Sequence, residues 1–192
     1  MNRKRKRNTS LFIIMIISIS SIFPRLKAKA TTVEDTILYY QEYQTRFEEI
    51  EQSEDIEPNG YQVLEEQVFP VMMESFGEEE LMLVPAIERR WHRLALFLVD
   101  KQGKVLYKEN QLETNHSTKG EMLQPVEDIA SIAFADVNRD GMTDIILITH
   151  CKKRLDNKQM FSYKVGDVLF QKEEGFYRDW RISDKINRFS MN

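Results

Sequence analysis

A single cysteine, Cys151, stands among 192 residues, so no internal disulfide can staple this chain. Histidine is nearly as scarce. His92, His116 and His150 show no metal-ligand spacing with one another, which removes the usual zinc patterns. No G-x-S-x-G, H-E-x-x-H or phosphate-cradling glycine loop occurs, so common hydrolase, metalloprotease and nucleotide-binding signatures are missing. No segment repeats itself convincingly, and one chain of this length cannot build a multi-bladed propeller. The apolar run Leu11 to Phe23, interrupted only by serines, covers 13 residues, whereas a bilayer span takes roughly 20.

That short run reads instead as an export address. Arg3 to Arg7 form a basic n-region, Pro24 breaks the apolar stretch, and Ala28-Lys29-Ala30 offers small residues for cleavage. The expected mature chain begins near Thr31 and is secreted or faces the cell surface, with an uncleaved membrane anchor as the alternative. The first 30 residues hold eight of the 27 basic residues and none of the 31 acidic ones. The remainder therefore carries 19 basic against 31 acidic residues, shifting the formal charge from −4 to −12. Such a surface repels phosphate backbones and excludes a general nucleic-acid binder.

Thr31 to Glu51 has helical periodicity. Thr31 and Glu34 have the spacing of a capping box, and Val33, Ile37, Tyr40, Phe47 and Ile50 form a stripe that Gln44 interrupts. Gln52 to Gly60 is acidic and ends in Pro58-Asn59-Gly60, which reads as a linker. Pro70 forbids a helix interior or a central strand around it. Leu81 to Ile87 and Leu94 to Val99 read as strands, and Asp100 to Gly103 turns the second back into Val105-Leu106-Tyr107. Asn110 to Gln124 is polar and reads as a surface loop. Ile129 to Ala135 and Ile145 to Thr149 read as core strands, the second central in its sheet. Strands follow at Phe161 to Val165, Val168 to Phe170 and Phe176 to Trp180, then a final helix capped by Ser183. The expected class is α+β: an antiparallel β-sheet with an N-terminal helix. Its divisions are a signal segment (1–30), a helix with acidic linker (31–57) and a mainly β domain (58–192).

One segment reads as chemistry. From Asp136 to Asp144, oxygen side chains occupy the first, third, fifth and ninth positions (Asp136, Asn138, Asp140, Asp144), and Gly141 occupies the sixth. Alternate side chains can then point inward around a hard cation while the glycine permits the sharp turn. A plain Asp-Gly hairpin turn is the alternative. Three aspartates crowded into nine residues repel one another, which a cation offsets and a plain turn does not. An EF-hand is excluded, because its twelfth position needs a bidentate glutamate and here holds Leu147.

The strand-loop-strand arrangement from Asp136 to Ile145 resembles the calcium loop of FG-GAP and VCBS-type repeats. That resemblance implies one Ca2+ held by the side chains of Asp136, Asn138, Asp140 and Asp144 and the backbone carbonyl of Met142. The wider order of features, from Gln67-Val68-Phe69-Pro70 to Asp184-Lys185-Ile186-Asn187, resembles exported proteins of Gram-positive gut bacteria. No activity follows from that likeness, though it implies a further segment after Asn192.

Two other groups bear on function. His150 and Cys151, adjacent on a strand, point to opposite faces and cannot act as base and nucleophile together. Trp91, Tyr107, Tyr163, Tyr177 and Trp180 could form a sugar-stacking platform, Trp180 foremost, although aromatics in strands are more often core. Acidic residues suitable for glycoside hydrolysis are everywhere and therefore uninformative. The expected function is a non-catalytic, calcium-stabilised exported domain that binds a surface protein or glycan, touching membrane only through an uncleaved signal segment. The alternative is a secreted hydrolase of cell-wall sugars or peptides.

Overall fold

A computed structural model describes residues 33–115, 125–154 and 160–189. The signal segment, the Thr31 cap, His116, the second half of the Asn110 to Gln124 stretch and the chain end lie outside them. The first helix, α1 (Val33–Glu48), is followed by β1 (Tyr61–Val63), β2 (Phe69–Val71), β3 (Leu81–Glu88), β4 (Leu94–Val99) and β5 (Val105–Glu109). Then come β6 (Val126–Ala135), β7 (Asp144–Arg154), β8 (Met160–Lys172), β9 (Gly175–Arg178) and α2 (Trp180–Phe189). No helix among the described residues is long and apolar enough to cross a membrane.

The α+β class with antiparallel pairing holds, but the strands form two sheets instead of one. The first runs β1-β3-β4-β5 with β2 also on β3, and the second runs β6-β7-β8-β9. Apolar alternation fixes which face of a strand is buried, not which sheet the strand joins, so the split was invisible in the pattern. The core between them takes Leu83, Leu94, Leu96 and Leu98 from the first sheet and Ile129, Ile145, Leu147 and Leu169 from the second.

The first sheet is buried on both faces. In β4 every residue is buried: Leu94, Leu96 and Leu98 face the second sheet, while Ala95, Phe97 and Val99 face α1. Period-two alternation explains the division. Pro85 falls between the rungs of β1 (Ala86 to Glu88) and those of β2 (Leu81 to Leu83). It has no N–H for a ladder, and its carbonyl takes Leu64 N–H at 2.9 Å.

The stripe expected along α1 is buried only in its later part, at Phe47 and Ile50. Tyr39, Tyr43, Phe47 and Ile50 are in the core, whereas Ile37 and Tyr40 are 53% and 43% exposed. The four-residue aromatic spacing meets aromatic partners: Phe47 and Phe97 ring centroids are 5.8 Å apart, and Tyr61 meets Phe97 edge-on at 5.9 Å. Such pairs add about 0.5–1.5 kcal/mol each beyond area burial, enough to choose the phase. Gln44 then lies beside the stripe rather than interrupting it. The C-terminal end of α1 is closed from β5: Lys108 Nζ donates to the carbonyls of Phe47 (3.0 Å), Glu48 (2.7 Å) and Ile50 (3.1 Å).

Gln52 to Gly60, expected as a linker, is bound into the main body. Ile56 is fully buried, Ser53 N–H donates to Gly103 O at 2.7 Å, and Val105 N–H donates to Glu51 O at 2.9 Å. The described half of the expected Asn110 surface loop is also buried, at Asn110, Leu112, Thr114 and Asn115. Asn115 accounts for it, exchanging bonds with Leu94 N–H and carbonyl at 3.0 and 2.6 Å.

In the second sheet β7 lies between β6 and β8, as a central strand. Its outward residues Ile146 and Ile148 are half-buried. The two strands expected on either side of Gly166 are one, β8. Its rungs with β9 begin only at Leu169. Before that point α2 supplies the partner: Asn187 accepts from Gly166 N–H at 2.7 Å and donates to Gly166 O at 3.0 Å. Ser183 does not cap α2. The helix starts earlier, at Trp180, and Asp179 Oδ1 accepts from Arg181 N–H at 2.9 Å. Ser183 is buried inside the helix and donates to Asp167 Oδ1 at 2.9 Å.

Candidate metal centre

The last rung of the β6–β7 hairpin joins Ala135 to Asp144, and the residues between form the acidic loop. Arg139 (φ 64°) and Gly141 (φ 88°) adopt the left-handed conformation, and the glycine supplies the turn its position implied. Asp136 Oδ1 and Asn138 Oδ1 both accept from Asp140 N–H, at 3.0 and 3.1 Å. Asp136 Oδ2 accepts from Gly141 N–H at 3.0 Å, and Asp140 Oδ1 from Met142 N–H at 2.9 Å. Asn138 Nδ2 donates to Asp140 Oδ2 at 2.8 Å. The side chains of Asp136, Asn138 and Asp140 are thus gathered at one exposed place, while Met142 is half-buried behind them.

Asp144 serves differently. It is fully buried, with Oδ1 accepting from Gln171 N–H on β8 at 2.9 Å and Oδ2 from Val137 N–H at 2.8 Å. It is a strut between the loop and the neighbouring strand. A residue the spacing could not reveal joins from the short helical turn between β2 and β3. Glu74, 69 positions before Thr143, accepts from Thr143 N–H and Oγ1–H, both at 2.9 Å. Burial acts to raise the Glu74 carboxyl and Asp136 adds repulsion, yet the bonds from Thr143 and its own backbone hold it below its ordinary value. Gln171 completes the tie, donating Nε2–H to Thr143 O at 3.0 Å and accepting from Ser75 N–H at 3.0 Å. No local pattern encodes these contacts.

A carboxylate oxygen that accepts one N–H keeps another lone pair. Asp136, Asn138 and Asp140 therefore suit a hard cation in donor type and convergence, with the Asn138 amide N–H turned toward Asp140 where an oxygen would serve a metal. Asp144 suits it less, because it is fully buried and tied to β8 through Gln171 N–H, whereas the other three side chains are exposed. Among the described residues no group of three or more His, Cys, Asp or Glu is gathered closely enough to hold a metal ion.

The other candidates are dispersed. Cys151 is fully buried against Thr114 Oγ1 at 3.0 Å, and burial pushes its thiol upward. His150 lies on the opposite face with Nδ1 2.7 Å from Asp128 Oδ1. The aromatic residues do not form one platform. Trp91 sits 5.5 Å from Tyr39 beside α1, Tyr107 packs on Phe76 and Phe176, Tyr163 stacks on Phe161, and Tyr177 stacks on Phe170. Trp180 is 66% exposed at the start of α2. No protein-family model, curated protein or solved structure matches the chain.

Proposed function

We propose that this chain is an exported, non-catalytic domain whose 136–144 loop takes one calcium ion, and that its surface serves binding to a protein or glycan. The observation that carries the metal is the loop spacing together with the convergence of the Asp136 and Asn138 side chains on the backbone N–H of Asp140, whose own carboxylate meets the Asn138 amide. Rotation of the Asn138 amide turns a third oxygen toward Asp136 and Asp140. The Met142 carbonyl is the fourth donor, and Asp144 adds the lone pairs that its two backbone contacts leave. When bound, the ion offsets the mutual repulsion of the carboxylates. Three carboxylates without a bidentate glutamate imply a weak extracellular-type site, with a dissociation constant on the order of 10⁻⁴ M. A hundredfold excess of calcium over that value stabilises the fold by about 2.7 kcal/mol.

The non-catalytic reading is supported by where the reactive groups lie. The only thiol is buried with its ionisation disfavoured, and the nearest imidazole in sequence is on the other face. Export rests on the basic and apolar N-terminal pattern.

Thermal melts of the full chain with excess calcium and with chelator test the proposal, repeated for Asp140→Ala. Calcium should raise the midpoint of the wild type by about 5–10 °C and leave Asp140→Ala unmoved. Superimposable wild-type melts remove calcium from the account. Release of sugars or peptides from cell-wall material, lost in Asp140→Ala, would favour the hydrolase instead.

A further inference from the structure

The oddest concentration of polar groups lies far from the acidic loop, where α1 meets the turn between β3 and β4. Of six buried side-chain polar atoms without a hydrogen-bond partner among the described residues, five belong to Gln44, Arg46, Tyr61, Trp91 and Arg93. Tyr61 pairs with Glu88 across the sheet, Trp91 and Arg93 bond to Glu88, and Gln44 and Arg46 lie on α1; every one of these atoms can donate. The carboxylate in their midst is spent. Glu88 is buried, with Oε1 accepting from Tyr39 O–H and Oε2 from Trp91 N–H, each at 2.5 Å.

Three guanidinium groups surround this point, and aromatic rings hold them. Arg90 lies 4.1 Å from the Tyr39 ring centre and 5.7 Å from that of Trp91. Arg93 lies 5.3 and 5.2 Å from Tyr40 and Tyr43, and Arg46 lies 5.9 Å from Tyr39. Among the residues whose side chains the structure describes, which on α1 begin at Ile37, neither Arg90 nor Arg93 has a carboxylate within 4 Å, and Arg46 has only Glu42 at 3.8 Å. Arg89 of the same turn, by contrast, is paired with Glu57 at 3.7 Å. A guanidinium face covered by a ring leaves the in-plane N–H edge as its recognition surface, and that edge matches a carboxylate or phosphate in two-point fashion. The turn is fixed by Glu88 N–H to Arg93 O at 2.7 Å and His92 N–H to Glu88 O at 2.9 Å, so the arginines are held before any ligand arrives.

We propose that Arg90 and Arg93, with Arg46 beside them, form a recognition site for a single oxyanion group, a phosphate or a carboxylate. The unpartnered atoms here can all donate while the nearest carboxylate is already engaged, which matches a ligand rich in acceptors. The formal charge of −12 on the remainder of the chain repels an extended polyanion but not one small anionic group facing a local excess of arginine.

The test uses Trp91 as reporter. The chain has two tryptophans, so Trp180→Phe, a change at an exposed position away from the site, leaves Trp91 alone. Its fluorescence is titrated with inorganic phosphate and separately with succinate, at constant ionic strength made up with chloride. A saturable change is expected, weakened at least about tenfold in Arg90→Gln and Arg93→Gln, the loss of one two-point charged contact. Arg89→Gln should bind as the parent does. Arg90 is exposed, so its variant folds even if Arg93→Gln does not. Saturation with phosphate alone or succinate alone identifies the source of the oxyanion. No saturable response to either, or an undiminished one in Arg90→Gln, overturns the site.

Discussion

Replacing Lys108 by methionine should detach the first helix from the sheet more than it destabilises the rest. The lysine stem stays in size, so its packing over Phe47, with Nζ 5.5 Å from the ring centre, is largely conserved. What disappears is a charged donor shared by three carbonyls at the end of α1, at 2.7 to 3.1 Å. A hydrogen bond to a charged group is worth about 1.5–3 kcal/mol, and a cation at a helix C-terminus adds about 0.3–1 kcal/mol. The lysine side chain is 20% exposed, so water recovers part of this and the net loss is about 2 kcal/mol. For a domain of this size that lowers the midpoint of a thermal melt by about 4–8 °C. Amide exchange should quicken in α1 before it does in β6 to β9. The Glu48 carboxylate, 3.9 Å from Nζ and 70% exposed, is a minor partner, so Glu48→Gln should shift the midpoint by about 1–2 °C at most. Equal losses in the two variants, or uniform exchange across both sheets, would refute carbonyl capture as the source.

Alkaline stability has its own signature. Burial pushes the phenols of Tyr39 (to about 12), Tyr43, Tyr61 and Tyr107 upward, with hydrogen bonding to Glu88 and repulsion by Glu109 adding to Tyr39 and Tyr107 respectively. A folded value raised above 10.0 means stability that is complete below pH 10 and falls as pH rises further. Absorbance at about 295 nm should show these four ionising together with loss of near-ultraviolet circular dichroism; smooth titration near pH 10 with the fold intact would contradict it. At Gly166 an added Cβ would stand 2.7 Å from Ile186 Cγ2, so Gly166→Ala should cost about 1–3 kcal/mol by pushing α2 from β8. Ile186→Ala in the same chain should restore part of that in a denaturant melt, and an unrelieved double variant would sink the account.

Much of the architecture was legible because short-range signals carried it. The β4–β5 hairpin was visible in Asp100 to Gly103, where Asp100 Oδ1 takes the N–H groups of Gln102 and Lys104, both at 2.9 Å. The acidic loop between β6 and β7 stands where its spacing placed it, with Gly141 left-handed. Elsewhere the deciding contacts are distant in sequence. Asn115 buries its own loop by bonding Leu94, and Asp167 claims Ser183, which looked like a cap. In α1 the burial of Phe47 and Ile50 follows the expected stripe, but before them it passes through Tyr39 and Tyr43 instead of Ile37 and Tyr40, because the opposing surface is aromatic. In the candidate site, Glu74 and Gln171 reach the loop from elements remote in sequence, and Asp144 belongs as much to β8 as to the loop. The Arg90 and Arg93 site left no pattern to read, because its geometry depends on rings of α1 brought over a turn of the sheet.

The two-sided burial of β3 and β4 also decides where the chain could be shortened. A truncation starting at Tyr61 would discard Tyr39, Tyr43, Phe47, Ile50 and Ile56 and uncover Tyr61, Val84, Ala86, Phe97 and Val99 together. A contiguous apolar area of that kind invites self-association. The smallest fragment able to stay dispersed in water must therefore keep its first helix, however separable the sequence makes it look.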